Sequence, residues 1–461
     1  MLVACVLAAA LVWASGASAF SKQETSILMD DGVSLATTLY LPDGAAPAGG
    51  WPGVVMFHGL GGTRSDTNAI AERSFANEGY AVLTFDTRGH GQSGGLFSAV
   101  GERELGDYRA LFAWLGARTD VDEAKIGAWG ISLGGGGVWR SLTAGIPFAA
   151  AEIVESWTDL YSAFFPQDLS KSGAAFAFLN SVPADRTGPE VAEIRQPALT
   201  STNLPLLRAF TAPRSTRSSL ASIRTPVYVF QGRRDFVFGL DQGITAFQGL
   251  AGPKRLYIGD FGHGPSTFPG PDIAQVLTEG SNWFSRFLKG QPNGIDTRPP
   301  VTLAADPYRE LAGATYAGLP PVKSVSFAFK GSKAIGATGF VVRASPRTRT
   351  LLETFGAPTV RVTASGTYPH LVAVLKAIAP DGREITVSEG GTTVALSRRP
   401  KPVAIRLIGQ ATTIPRGSRL MLRLGPTSGD LLFISTVPTG TRVTFGAATL
   451  ILPVLRKPIS G

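Results

Sequence analysis

Ser132 stands at the centre of Gly130-Ile131-Ser132-Leu133-Gly134, the G-x-S-x-G spacing that lets a serine act as a nucleophile. A serine hydroxyl attacks poorly until a neighbouring base takes its proton. It must also project from the backbone, and a sharp strand-to-helix turn achieves this. Side chains two residues before and after would collide with the crowded backbone of such a turn, which is why glycines flank it. The pentapeptide alone also occurs in ordinary Gly-rich turns. Its weight comes from context: the apolar stretch Lys125 to Trp129 precedes it, and small residues from Leu133 to Gly137 follow.

The base must be a histidine, and the chain has 4. His58 opens His58-Gly59-Leu60-Gly61-Gly62, close to the H-G-x-x-G loop that supplies an oxyanion donor. His90 lies in a turn, Asp86 to Gly94, and His370 lies far downstream. The fold that carries this kind of elbow orders its residues Ser, acid, His. That leaves His263, in Gly262-His263-Gly264. The acid is expected after the preceding core strand, where Gln231-Gly232-Arg233-Arg234-Asp235 offers Asp235, with Asp241 as the alternative. Asp260 is too close to His263 along the chain to reach the far ring nitrogen, and Asp86 is expected to tie down its own turn. Two N–H donors must meet the developing oxyanion. The amide of Leu133, at a helix N-terminus, and that of Leu60 are the candidates. This chemistry requires no metal and no cofactor.

These residues need a scaffold. Val54-Val55-Met56-Phe57, Ala81 to Phe85, Lys125 to Trp129, Ala149 to Val154, Val227 to Phe230 and Arg255 to Ile258 read as short, mostly apolar strands, of the kind buried on both faces of a parallel sheet. Helices are expected between them, over about Asp66 to Glu78, Glu102 to Ala117, after Ser132, and Ile273 to Leu288. A hairpin turning at Asp30-Asp31-Gly32 precedes them. The alternation predicts an α/β fold, an α/β-hydrolase core over residues 20–298. The stretch from Trp157 to about Ile223 is too long for a crossover and is expected to form a helical cap, about 157–223. Gly290 to Pro300 reads as a linker. From Ser324 onward, short Val/Ile/Thr/Leu runs are separated by turns such as Asp381-Gly382, which predicts an all-β jelly roll or sandwich over residues 299–461.

Composition narrows the class. The 461 residues are 44% apolar and 17% charged, a globular balance. Leu2 to Trp13 is nearly all apolar and Ala17-Ser18-Ala19 suits signal peptidase, so residues 1–19 read as a secretory signal peptide, although no Lys or Arg precedes the run. The protein is therefore expected to be secreted or associated with the cell envelope. Cys5, the 1 cysteine, falls in this leader, which excludes disulfides, a thiol nucleophile and cysteine-ligated metal from the mature chain. From Lys330 to Gly461 there are 18 Lys and Arg against 5 Asp and Glu. A basic exported domain of this kind could rest on anionic envelope polymers, or simply be a soluble surface. Basic clusters are not interleaved with aromatics, so nucleic-acid binding is not expected.

The whole arrangement resembles the X-Pro dipeptidyl-peptidase and cocaine-esterase-like (CocE/NonD) acyl hydrolases. The stretch Phe355-Gly356-Ala357-Pro358-Thr359-Val360-Arg361-Val362 is similar to the opening of that family's C-terminal domain, and Ala379-Pro380-Asp381-Gly382-Arg383 to a later hairpin. The resemblance implies a small-molecule ester or peptide substrate. Two departures matter: Leu133 stands where relatives carry Tyr after the nucleophile, and the His58–Gly62 loop has no Tyr to donate to the oxyanion. Both lean toward carboxylic esters. An X-Pro dipeptidyl aminopeptidase is the first alternative; it would need an acidic anchor for a substrate ammonium, for which Glu155 and Asp159 are candidates, though both also read as helix-end residues. An envelope- or carbohydrate-binding protein with a vestigial hydrolase is the second.

Overall fold

The computed structural model describes residues 19–310, 312–429 and 432–459. Apart from Ala19, the leader read over 1–19 lies outside the described residues, as does Cys5. Among the described residues no helix is long and apolar enough to cross a membrane.

A ten-stranded sheet forms the first layer system. Its strands are β1 (Phe20–Leu28), β2 (Ser34–Pro42), β3 (Trp51–Phe57), β4 (Ala81–Phe85), β5 (Val121–Ile131), β6 (Ala150–Val154), β7 (Val227–Gly232), β8 (Lys254–Gly259), β9 (Val301–Leu303) and β10 (Ala314–Tyr316). They lie in the order β1-β2-β4-β3-β5-β6-β7-β8-β9-β10, parallel from β4 to β9. Alternation along each strand explains why the central runs carry apolar residues on both faces. Val55, Leu83, Ala128, Ile153, Val229 and Leu256 face the layer that holds helices Glu102–Gly116, Leu133–Thr143 and Leu240–Gly249. Val54, Val82, Trp129, Val154, Tyr228 and Tyr257 face helix Ile273–Leu288.

Two local expectations change. The span from Asp66 to Glu78 is not one α-helix. It runs as a 3-10 turn (Arg64–Thr67), one α turn (Asn68–Ile70), a π segment (Ala71–Phe75) and a second 3-10 turn (Ala76–Glu78) before Gly79 at φ 79°. The sheet also continues past residue 298. Val301 pairs with Leu256 in parallel register, and β10 closes that edge antiparallel, so the start of the stretch assigned to the second domain completes the first sheet.

Between β6 and β7 the chain forms short helices, among them Leu160–Phe164, Ser172–Leu179, Arg195–Thr200 and Leu204–Thr211, which cap the sheet. The second domain contains β11 (Val322–Phe329), β12 (Lys333–Gly336), β13 (Val341–Arg347), β14 (Leu352–Glu353), β15 (Thr359–Gly366), β16 (His370–Ile378), β17 (Glu384–Thr393), β18 (Lys401–Arg406), β19 (Thr413–Ile414), β20 (Arg419–Gly425) and β21 (Arg442–Leu455). One sheet runs β11-β21-β15-β18, with β12 also on β21; the other runs β13-β20-β16-β17. Val360 and Val362 of one sheet and Leu371, Ala373 and Leu375 of the other share one core, which makes the domain a β-sandwich. Leu169 of the cap, Phe236 of the first domain and Val372, Ile408 and Phe433 of the second cluster where the three parts meet.

Candidate active site

β5 ends at Ile131 and helix Leu133–Thr143 begins two residues later. Ser132 joins them at φ 54° and ψ −115°, a conformation an L-residue holds only when its surroundings insist. The surroundings are visible. Its N–H donates to Val154 O at 2.9 Å, and its carbonyl accepts from Ser156 Oγ at 2.9 Å. A Cβ on Gly130 would lie 2.5 Å from Gly134 O, and one on Gly134 would strike the Phe57 carbonyl. Both glycines are therefore demanded by close backbone approach.

The hydroxyl so presented meets His263. Ser132 Oγ lies 3.0 Å from His263 Nε2, and His263 Nδ1 lies 2.7 Å from Asp235 Oδ2. With Nδ1–H donating to Asp235, the Nε2 lone pair is left to accept the serine proton. Asp235 follows β7 and is fully buried; its Oδ1 accepts from the amides of Val237 and Phe238 at 2.9 and 2.8 Å. Burial alone would lower the proton affinity of His263, but the Asp235 carboxyl outweighs it and the pKa is pushed up to about 9. The Phe238 ring stands edge-on to the imidazole at 5.2 Å.

The other acids have different employment. Asp260 pairs with Arg234 at 3.3 Å. Asp241 lies in the first turn of Leu240–Gly249 and lines a separate cleft with Lys171. Asp86 accepts from the amides of Arg64 and Gln92 and from the Arg64 guanidinium, tying two loops together. Asp159 caps the helix Leu160–Phe164 through Ser162 N. Glu155 is no helix-end residue. It follows β6 at φ 49°, is 2% exposed, and places Oε2 3.8 Å from His263 Nδ1. The three remaining histidines are buried in the framework. His58 Nδ1 donates to Gly59 O and its Nε2 accepts from Thr87 N, His90 packs against His58 at 5.2 Å between ring centres, and His370 bonds Pro426 O.

Leu60 and Leu133 both line the cleft at Ser132. Neither amide donates to another group among the described residues, and a Cβ on Gly59 would sit 3.8 Å from Ser132 Cβ. The loop after β3 thus abuts the elbow, where two free N–H donors suit an oxyanion. Glu155, Asp235 and His263 are also the kind of side chains that ligate metals, with ligand atoms within 4.8 Å of one another. A cation there would have to displace the hydrogen bonds just described.

Two clefts open on Ser132. One, of about 190 Å³, is walled by Leu60, Leu133, Trp157, Phe164, Phe178 and Phe238, and is charge-free but for His263. The other, of about 560 Å³, is more polar and includes Asp66, Thr67, Glu155, Ser266 and Thr267. Two supports of the acid loop carried no sequence signal. Lys171 of the cap donates from Nζ to Phe236 O and Val237 O at 2.7 and 2.9 Å, and Arg233 pairs with Glu353 of the second domain. Glu155 did carry one: a carboxyl directly after a buried strand of a parallel sheet sits at the edge where such folds do chemistry.

Comparison with known proteins bears on the family and the fold. The family model described as X-Pro dipeptidyl-peptidase (S15 family) matches residues 31–265. An uncharacterised 31.7 kDa protein of Escherichia coli is 24% identical over 279 residues, 55% of this chain and 96% of its own. A CocE/NonD family hydrolase from Staphylococcus aureus superposes with a TM-score of 0.74 at 15% identity, covering 95% of this chain and 94% of that one. An α-amino acid ester hydrolase superposes with a TM-score of 0.69 at 15% identity, over 96% and 98%. Both structural likenesses span the core, the cap and the β-sandwich.

Proposed function

The chain belongs to the X-Pro dipeptidyl-peptidase (S15) family and is a serine hydrolase, and from that premise we propose that it cleaves carboxylic esters through an acyl-enzyme on Ser132, with His263 as base and Asp235 as acid. The observation that carries this reading is the hydrogen-bonded chain Ser132–His263–Asp235 opening onto an apolar cleft. Ser132 Oγ attacks the substrate carbonyl as its proton passes to His263 Nε2. The carbonyl oxygen, now negative, is held by the amides of Leu60 and Leu133. His263 then gives the proton to the departing alkoxide, leaving Ser132 acylated. Water, deprotonated by the same nitrogen, attacks the acyl carbon, and the proton returns to Ser132 as the acid leaves.

An ester fits the wall of Trp157, Phe164, Phe178 and Phe238, which offers shape and apolar contact but no acidic anchor. A second reading, an X-Pro dipeptidyl aminopeptidase, draws support from Asp66 and Glu155 in the polar cleft, where a substrate ammonium would find carboxyl groups. Turnover of short-chain nitrophenyl esters beside Ala-Pro and Gly-Pro anilides separates the two: the ester reading expects the esters to dominate, and anilide cleavage without ester preference overturns it.

Export is inferred from the apolar N-terminus ending at Ala17-Ser18-Ala19, and immunoblots of culture medium, envelope and cytosol read it directly. Contact of the basic second domain with anionic envelope polymers rests on its surplus of Lys and Arg. Salt-sensitive retention of the protein on isolated envelopes tests that contact.

A further inference from the structure

We infer that Glu155 is a second acid partner of His263, placed beside Asp235 on the Nδ1 side of the imidazole and able to stand in for it. The inference rests on the acyl-enzyme reading and adds a residue that the reading does not use. Topology brings the group there. β6 lies between β5 and β7 in the sheet, so the residue that follows it falls between the strand end that carries Ser132 and the one that leads to Asp235. Glu155 N–H donates to Phe230 O of β7 at 2.8 Å, which fixes the backbone at its left-handed φ of 49°.

The side chain is then aimed inward. Its Oε2 lies 3.8 Å from His263 Nδ1, against 2.7 Å for Asp235 Oδ2. Its Oε1 is buried and meets no hydrogen-bond partner among the described residues. A buried carboxyl with an idle oxygen is costly to keep, and no Lys or Arg among the described residues forms an ion pair with it. The charged or titratable groups that face this pair are His263, Asp235, Asp272 and Lys171. Burial, with smaller effects from these neighbours, raises the Glu155 carboxyl to about 8, so its negative charge is present where the imidazole, raised to about 9, titrates.

The role follows from where charge appears. When Ser132 gives its proton to Nε2, the imidazole becomes cationic and needs negative charge on its far side. Asp235 supplies the first. Glu155, in its ionised form, supplies the second, and the two sites titrate as a coupled pair. Without the Asp235 charge, Glu155 is the remaining carboxyl close enough to favour the Nδ1–H tautomer.

The test uses the full chain and reads the rate of covalent labelling of Ser132 by a fluorophosphonate against pH, which does not depend on the natural substrate. Five proteins are compared: the parent, Asp235→Asn, Glu155→Gln, the double variant and, as the conservative control, Glu155→Asp, with thermal melting to establish that each is folded. Removing a carboxyl next to an imidazole lowers its proton affinity, so Glu155→Gln should move the acid limb of the profile to lower pH by about one pH unit, with Glu155→Asp restoring much of the parent profile. Asp235→Asn should label at least about tenfold faster than the double variant, increasingly so as Glu155 ionises, within the roughly 10⁴-fold span that loss of a triad acid can cost. A Glu155→Gln profile that superposes on the parent, or an Asp235→Asn rate equal to that of the double variant, overturns the inference. A parent that fails to label at Ser132 overturns the acyl-enzyme reading itself.

Discussion

Arg233 and Glu353 form an ion pair across the domain boundary, with Arg233 Nη2 2.7 Å from Glu353 Oε1 and both side chains no more than 1% exposed. Arg233 lies two residues before Asp235. Its carbonyl accepts from Ala411 N at 2.8 Å, and its guanidinium also reaches the Ala411 and Ala304 carbonyls. Glu353 Oε2 accepts from Ile459 N at 2.7 Å. The second domain is thus part of what holds the acid loop, and it does so with buried charges.

Breaking that pair from one side leaves a buried charge without its opposite. Arg233→Met or Glu353→Gln should lower unfolding stability by about 3–5 kcal/mol, seen as an earlier urea midpoint. The double replacement Arg233→Met with Glu353→Leu should recover a good part of the loss. Midpoints that do not move in the single variants would show that the pair contributes nothing to stability.

Lys171 anchors the same loop from the cap. Burial lowers its ammonium to about 8, while Asp241, Asp235 and Glu389 oppose the shift. Lys171→Met leaves the Phe236 and Val237 carbonyls without this donor, at about 1–3 kcal/mol for each unsatisfied group. Because the loop carries Asp235 rather than the substrate-facing wall alone, the expected kinetic effect is a fall in kcat of about tenfold, larger than the change in KM. An altered KM with kcat intact would place Lys171 in substrate binding instead.

His58 and His90 predict how stability depends on pH. Burial lowers both, His90 to about 4, so the folded state binds protons less readily than the unfolded chain, where histidine titrates near 6.5. The stabilisation is present above about 6.5 and is lost as the pH falls toward 4, at up to about 1.4 kcal/mol per pH unit for each histidine. Because the raised Glu155 and His263 act in the opposite sense over pH 7.5 to 4.5, the histidine contribution is read as a difference: the thermal midpoint of His90→Gln should fall less toward acid pH than that of the parent. An equally steep decline in that variant excludes His90 as its source.

Much of the site could be read before the fold was known, because its chemistry is written in spacing. The elbow needs Gly130 and Gly134 at fixed offsets, and chain order left His263 and Asp235 as the choice; the structure brings those three side chains together. The apolar strands were legible for a related reason: a strand buried on both faces is apolar over its central run, as Val54 to Phe57 and Val227 to Phe230 are. Other features depend on partners distant in sequence. β9 has three residues, too few for a period, and it is a strand because β8 offers an edge. The Arg64–Glu78 span looks helical residue by residue, yet it changes between 3-10, α and π windings along its length. Lys171 is a lone cation in a segment of small and apolar residues, and its partners lie 65 and 66 positions away. Glu155 reads in sequence as a substrate anchor or a helix end because its neighbours along the chain say nothing of the imidazole that approaches it from the loop after β8.

Turnover through an acyl-enzyme requires that the Ser132 hydroxyl be the one group that reacts covalently. Peptide mass spectrometry of the protein after brief exposure to a fluorophosphonate tests it most directly. One adduct is expected, on the peptide that contains Ser132, together with loss of ester turnover, and neither adduct nor turnover in Ser132→Ala. An adduct on another residue, or esterase activity that survives Ser132→Ala, contradicts it.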